Sequence, residues 1–272
     1  MTVLGCLPYL NVKPLIYTFE NGHLPHGWSL RYAPPAKLAE MLHTGEVAAA
    51  PVSSFEVLHS DDLWAVPGVC ISARGAVKSV LLFSRVPFRR IRTVALDSGS
   101  LTGAAMTKIL LAEMFGLSPV YRSAKSDPSA MLRDADAALV IGNPALQFRP
   151  VGLRVLDIGQ AWRDLTCLPA VFALWAGRYD LLTPEIADVL ITARDSGLGK
   201  IEQIADAEAP KLGLPQSVCR EYLSEVINFS LGDEELASLA RFADLCREHG
   251  LNLRGSDSEA SEEGCVRFCN VG

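Results

Sequence analysis

Short apolar runs alternate along this chain with stretches of helical periodicity. Val3–Leu7 is the first run and reads as a strand; Pro8 ends it. The next eight residues, PYLNVKPL at 8–15, turn the chain into a helix, with Pro14 suited to its first turn. An internal echo then organises the pattern. MLHTGEVAAAPVSSFEVL at 41–58 and MLRDADAALVIGNPALQF at 131–148 lie 90 positions apart. Both pass an acidic residue (Glu46, Asp136), run through an apolar strand and stop at a polar loop. SLRYAP at 29–34 falls opposite PVYRSA at 119–124, and TVLGCLPYLN at 2–11 opposite TVALDSGSLT at 93–102.

Each copy reads strand, loop, helix, strand, helix, strand, loop, helix. That order calls for parallel sheets with right-handed crossovers. The expectation is an α/β protein of two lobes, each a mostly parallel sheet with flanking helices, with a cleft between them. Lobe one is placed at 1–84 plus 176–254 and lobe two at 85–175. The apolar runs VKSVLLF at 77–83 and AVFALW at 170–175 are the expected connections. Two helical stripes follow, Ile186, Val189, Leu190, Ala193 and Leu236, Leu239, Ala240, Ala243, and these helices are expected to pack on lobe one. Residues 255–272 open polar and acidic and read as a mobile tail.

Composition narrows the function classes. The chain has 272 residues, 49% hydrophobic and 21% charged, which suits a globular protein with a large core. A net charge of -6 argues against nucleic acid as the main partner but leaves room for a small anion held by local dipoles. No apolar run approaches the roughly 20 residues that span a bilayer, and no basic segment precedes an apolar one at the start. Seven scattered cysteines, an odd number without a C-x-x-C pair, read as buried apolar residues in a cytoplasmic protein.

Ligands of open parallel sheets bind beyond the C-terminal strand ends, where loops meet helix N-termini. Four loops qualify. In the opening loop Asn11 either caps the helix or donates to a ligand. In VSSFE at 52–56, Ser53 and Glu56 fit a capping box, which leaves Ser54 freer to face the cleft. DSGSLTG at 97–103 is a hydroxyl-rich cradle for a carboxylate or phosphate, with Asp97 placed to orient loop amides. In IGNP at 141–144, Asn143 is the expected cap and Gly142 permits close backbone approach. Ser79, in VKSV, is placed on the cleft floor. No zinc, Walker or G-x-S-x-G motif occurs, and none of the five histidines falls in these loops. The residues alone therefore describe a two-lobed binder of a small anion, reactive or not.

The motifs YLNVKPL, PVSSFEVL, GAVKSVLLFS, ALDSGSLTG, ALVIGNPAL and EYLSEVINFSLGDEELASLARFADLCREHGL, in this order through about residues 2–253, resemble the chorismate dehydratase family of the futalosine route to menaquinone. The resemblance implies a type II periplasmic-binding-protein-like fold used in the cytoplasm. It implies dehydration of chorismate to 3-[(1-carboxyvinyl)oxy]benzoate, without metal or organic cofactor. Two positions depart from the family pattern: it usually carries an acidic residue where Asn143 stands, and Thr-Ser where this chain has Thr102-Gly103. On loop position, Asn11 is the expected catalytic residue. Tyr9, Ser54, Ser79, Ser98, Ser100, Leu101, Thr102, Gly142 and Asn143 are the expected substrate contacts. Two other readings stay open: a non-catalytic binder or sensor of a small carboxylic acid, and the sister 1,4-dihydroxy-6-naphthoate synthase. The oligomeric state, monomer or homodimer, is also open.

Overall fold

Both copies of the echo fold into the same βαβαβα unit. The computed structural model describes residues 2–251 and 265–270. The first unit is β1 (Thr2–Cys6), α1 (Lys13–Glu20), β2 (Trp28–Tyr32), α2 (Pro35–His43), β3 (Ala50–Ser53) and α3 (Ser54–Leu58). The long strand β4 (Leu63–Ala73) and β5 (Val80–Ser84) carry the chain to the second unit. That unit is β6 (Thr93–Asp97), α4 (Leu101–Phe115), β7 (Val120–Ala124), α5 (Pro128–Asp134), β8 (Ala137–Ile141) and α6 (Gly142–Gln147). β9 (Arg154–Asp157), α7 (Ile158–Thr166) and β10 (Ala170–Arg178) bring it back. Four helices follow: α8 (Pro184–Leu198), α9 (Ile201–Leu212), α10 (Gln216–Glu221) and, after the short strand β11 (Asn228–Ser230), α11 (Asp233–Glu248).

The two lobes have matching strand orders. Lobe two is one sheet, β7-β6-β8-β5-β9. In lobe one β1 and β2 pair in parallel, and β1 joins β3 through a Leu4–Ala49 bridge and the 2.8 Å bonds Gly5 N to Ala49 O and Ala48 N to Val3 O. The order continues as β3-β10-β4-β11. Each lobe is therefore a parallel core extended by antiparallel strands, so the sheets are mixed where mostly parallel ones were expected. The cause is a strand exchange. β5 enters beside β8 in lobe two, and β10 returns beside β3 in lobe one.

That exchange moves the expected lobe boundaries. Residues 80–84, assigned to lobe one by sequence, belong to the sheet of lobe two, and 170–175 belong to lobe one. The chain crosses instead at about 74–79 and 167–169. An apolar run reads the same whichever sheet it joins, so periodicity had no means of placing it. The expected stripe on α11 is also rotated. Glu235, Ser238, Leu239, Phe242 and Leu245 face inward, and Ala240 is exposed. Of the expected mobile tail, 255–264 and 271–272 lie outside the described residues. Residues 265–270 are docked: Ala65 N donates to Arg267 O at 2.8 Å, Cys269 N donates to Ala65 O at 3.0 Å, and Val266 and Cys269 are buried.

Two local features steady lobe one. α8 crosses the start of α1 so closely that a Cβ on Gly197 would stand 1.8 Å from the Pro14 carbonyl oxygen. His43, the last residue of α2, joins Glu56 (Nε2–Oε1 2.7 Å) and Asp62 (Nδ1–Oδ2 3.2 Å). Burial alone would lower the His43 pKa; the hydrogen bonds to Glu56 and Asp62 and their charges outweigh it and raise the value above that of a free imidazole.

Gly197→Ala is expected to destabilise by about 1–3 kcal/mol through overpacking, or ~2–4 °C of Tm per kcal/mol in a chain of this size. An unchanged thermal scan would contradict it. His43 has a raised folded-state pKa. Its stabilising contribution is full below the free imidazole value of about 6.5 and is lost as pH rises through the folded value. Tm measured from pH 5.5 to pH 9 should therefore fall more steeply in the parent protein than in His43→Gln; identical slopes would contradict the assignment.

Candidate active site between the lobes

The N-termini of α3 in lobe one and α4 in lobe two meet and cap each other. Thr102 N donates to Ser53 Oγ at 3.1 Å, Phe55 N donates to Thr102 Oγ1 at 3.1 Å, and the two hydroxyls stand 2.7 Å apart. Ser53 thus makes no capping bond within its own helix, and Glu56 is committed to His43, so the expected capping box does not form. Asn143 ties a second point of the seam. Its Oδ1 accepts from Leu10 N at 3.0 Å and its Nδ2 donates to Pro8 O at 3.2 Å.

Behind this seam lies a cleft with a cavity volume of about 90 Å³. Ligand pockets are typically about 300–1,000 Å³, so the lobes stand closed. Tyr9, Asn11, Ser53, Ser79, Ser100, Thr102 and Gly142 supply its polar and backbone surfaces, and Ile71, Phe172 and Ile227 contribute to its apolar wall. Tyr9 lies against Gly142, whose φ of 63° and missing side chain allow the approach; a Cβ there would stand 3.1 Å from the ring. Burial first, and the charge of Asp97 second, push the Tyr9 phenol above its ordinary pKa. A larger groove of about 670 Å³, lined by Tyr17, Asp188 and Lys200 among others, shares none of these loops.

The structure brings together Tyr9, Asn11, Ser79, Ser100, Thr102 and Gly142 of the residues anticipated from sequence. Asn11 is not a helix cap: it sits in a 3-10 turn before α1, and its buried Oδ1 has no hydrogen-bond partner. Ser100 caps α4 by accepting from Gly103 N at 3.1 Å, which leaves its own hydroxyl hydrogen for a ligand. Ser79 is 1% exposed and forms part of the floor.

Four anticipated contacts lie elsewhere. Ser54 points into lobe one and donates to Val171 O at 2.9 Å, so it is Ser53 that faces the cleft. Ser98 and Leu101 are exposed and do not line the cavity. Asn143 works on the seam and does not line the cleft. Lys13 also turns away, pairing with Glu20 at 2.8 Å and Glu208 at 3.6 Å. Tyr222 lies in the EYLSEVINF motif but was not among the anticipated contacts. It is buried and donates from its hydroxyl to Ser79 Oγ at 2.7 Å, from 143 positions away.

The cavity lining contains no carboxylate, histidine or lysine. The carboxylate of the loop before α4, Asp97, spends one oxygen on Gly99 N at 2.9 Å and the other on Ile141 N at 3.4 Å. Such a site holds a ligand through hydroxyls, amides and the α4 dipole, and presents no protein base to it.

The architecture recurs among solved structures. A protein of Archaeoglobus fulgidus superposes with a TM-score of 0.75 at 16% identity, covering 92% of this chain and 97% of its own. The periplasmic aliphatic sulphonate binding protein of Escherichia coli gives 0.62 at 17% identity, covering 97% and 96%. The alkanesulfonate-binding protein of Xanthomonas axonopodis gives 0.68 at 14%, covering 93% and 94%. These likenesses identify the fold as periplasmic-binding-protein-like. In sequence, residues 2–248 match the menaquinone biosynthesis family model. The chorismate dehydratase of Thermus thermophilus is 31% identical over 261 residues, 89% of this chain and 94% of the relative. With nearly its whole described length matched, this chain belongs to the menaquinone biosynthesis family.

Proposed function

We propose that this protein is a chorismate dehydratase, a hydro-lyase that converts chorismate to 3-[(1-carboxyvinyl)oxy]benzoate in menaquinone biosynthesis. The observation that carries the mechanistic reading is the cleft lined by hydroxyls and amides, without a carboxylate, histidine or lysine. Dehydration of chorismate suits such a site. The ring carbon bearing the ether loses a proton, its electron pair completes the aromatic ring, and the neighbouring hydroxyl leaves. Aromatisation supplies the driving force, so a strong protein base is not needed. In this reading the enolpyruvyl carboxylate of the substrate takes the ring proton and passes it to the departing hydroxyl. One water leaves, and no protein group changes charge.

The protein's part is positioning and electrostatics. Ser100 and the first turn of α4 hold one carboxylate, with Ser53 and Thr102 re-partnering to it when substrate parts the seam. The entry to α1, beside Asn11, holds the other. The unpartnered Oδ1 of Asn11 accepts a hydrogen bond from the ring hydroxyl. Closure of the lobes excludes water from the aligned groups. Seven cysteines without a disulfide support a reducing, cytoplasmic setting.

Incubation with chorismate should yield the aromatic ether, read by absorbance and mass. Tight chorismate binding without product would replace the lyase with a non-catalytic binder. Asn11→Ala should lower kcat by about 10²-fold and move Tm by no more than about 2 °C, because Oδ1 makes no internal bond to lose. A Tm drop matching the loss of turnover would return Asn11 to a structural role.

A further inference from the structure

Tyr222 lies behind the cleft wall rather than on it, yet it touches one of the polar residues that line the cavity. It is 2% exposed and begins the wide π-turn Tyr222–Val226 that ends α10. Such turns are frequent at functional sites. Its hydroxyl donates to Ser79 Oγ at 2.7 Å. Burial, the dominant influence, keeps the phenol protonated far above its ordinary range, so it remains a neutral donor at every working pH.

The polarity of the floor follows from that one hydroxyl. A serine hydroxyl has one hydrogen and two acceptor positions. With one acceptor position of Ser79 filled by Tyr222, its own hydrogen is free to turn to the cleft it lines. A hydroxyl donor is thus presented to the cleft, which suits the oxygen of an alcohol.

We infer that Tyr222 is a positioning residue for the dehydration: its hydroxyl orients Ser79 as donor to the ring hydroxyl that departs. The inference rests on the dehydratase reading and deepens it. Asn11 accepts from the substrate hydroxyl in the ground state. Ser79 donates to its oxygen as the C–O bond lengthens and negative charge gathers there. Ser79 and Tyr222 keep their own protons throughout, so the balance is unchanged: one C–H and one C–O bond break, and one water leaves.

The test is a double-mutant cycle of Tyr222→Phe and Ser79→Ala on the full chain with chorismate. Tyr222→Phe should lower kcat by about 10²-fold and change KM by less than about threefold, since Ser100 and α4 still hold the carboxylate. In the Ser79→Ala background the same change should cost less than about threefold, because the group through which Tyr222 acts is gone. Fully multiplicative losses, or a Tyr222→Phe enzyme with parental kcat, would overturn the inference while leaving the dehydratase reading intact. An inactive parent protein would instead remove that reading, and the inference with it. If Tyr222→Phe fails to fold, Ser79→Ala decides alone: parental kcat overturns the inference, and a loss of about 10²-fold with an unchanged Tm supports it.

Discussion

The mutual capping of two helices across the lobes is the contact on which the site depends. A helix N-terminus leaves N–H groups without partners. Here α3 and α4 satisfy each other's through Ser53 and Thr102, so closing the cleft repairs a deficit that opening creates. The same hydroxyls can exchange their partners for a carboxylate at little cost. The seam is therefore strong enough to define a closed state and weak enough for an anionic ligand to replace. Asn143, bonded to the backbone on both sides of Tyr9, fixes the second edge of the cleft and holds Tyr9 over Gly142.

The two crossings between lobes carry a related signature. Lys78 and Cys167 are the non-glycine residues with positive φ among those described, at 60° and 61°, one on each crossing. That conformation costs about 1–3 kcal/mol unless the surroundings impose it. At Lys78 they do: Asp157 accepts from Val77 N at 2.9 Å and Lys78 N at 2.8 Å, and the Lys78 side chain pairs with Glu221. The strained residue sits between Val77 and Ser79, both of which line the cavity. Lobe crossing and cleft floor are thus one piece of backbone, and the ion pair ties it to the residue preceding Tyr222.

A cleft without carboxylate, histidine or lysine in its wall has a clear physical use. In a low-dielectric space each hydrogen bond to developing charge is worth more than in water, while a buried unpaired charge is costly. Fixed dipoles avoid that cost. This suits an elimination in which the substrate brings its own carboxylates and gains aromaticity. It also explains why a fold shared with binding proteins serves here: the additional demands are orientation and exclusion of water.

Much of this was legible in the chain. Alternation of apolar runs, the 90-residue echo and the hydroxyl-rich entry to α4 are local patterns, set by backbone propensity and helix capping, and they placed the two units and several cleft residues. The motifs in series pointed to the family. Other features depend on which surfaces come together. Nothing local distinguishes an apolar run that pairs with β3 from one that pairs with β8, so the exchange of β5 and β10 was invisible. Ser53 and Ser54 straddle a strand-to-helix junction, where the side-chain direction changes from a period of 2 to one of 3.6, so Ser53 faces the cleft and Ser54 turns into lobe one. Tyr222 reaches Ser79 across 143 residues of chain. Short-range stereochemistry wrote the elements and their helix entries into the sequence; long-range packing alone decided which hydroxyls and amides face one another across the cleft.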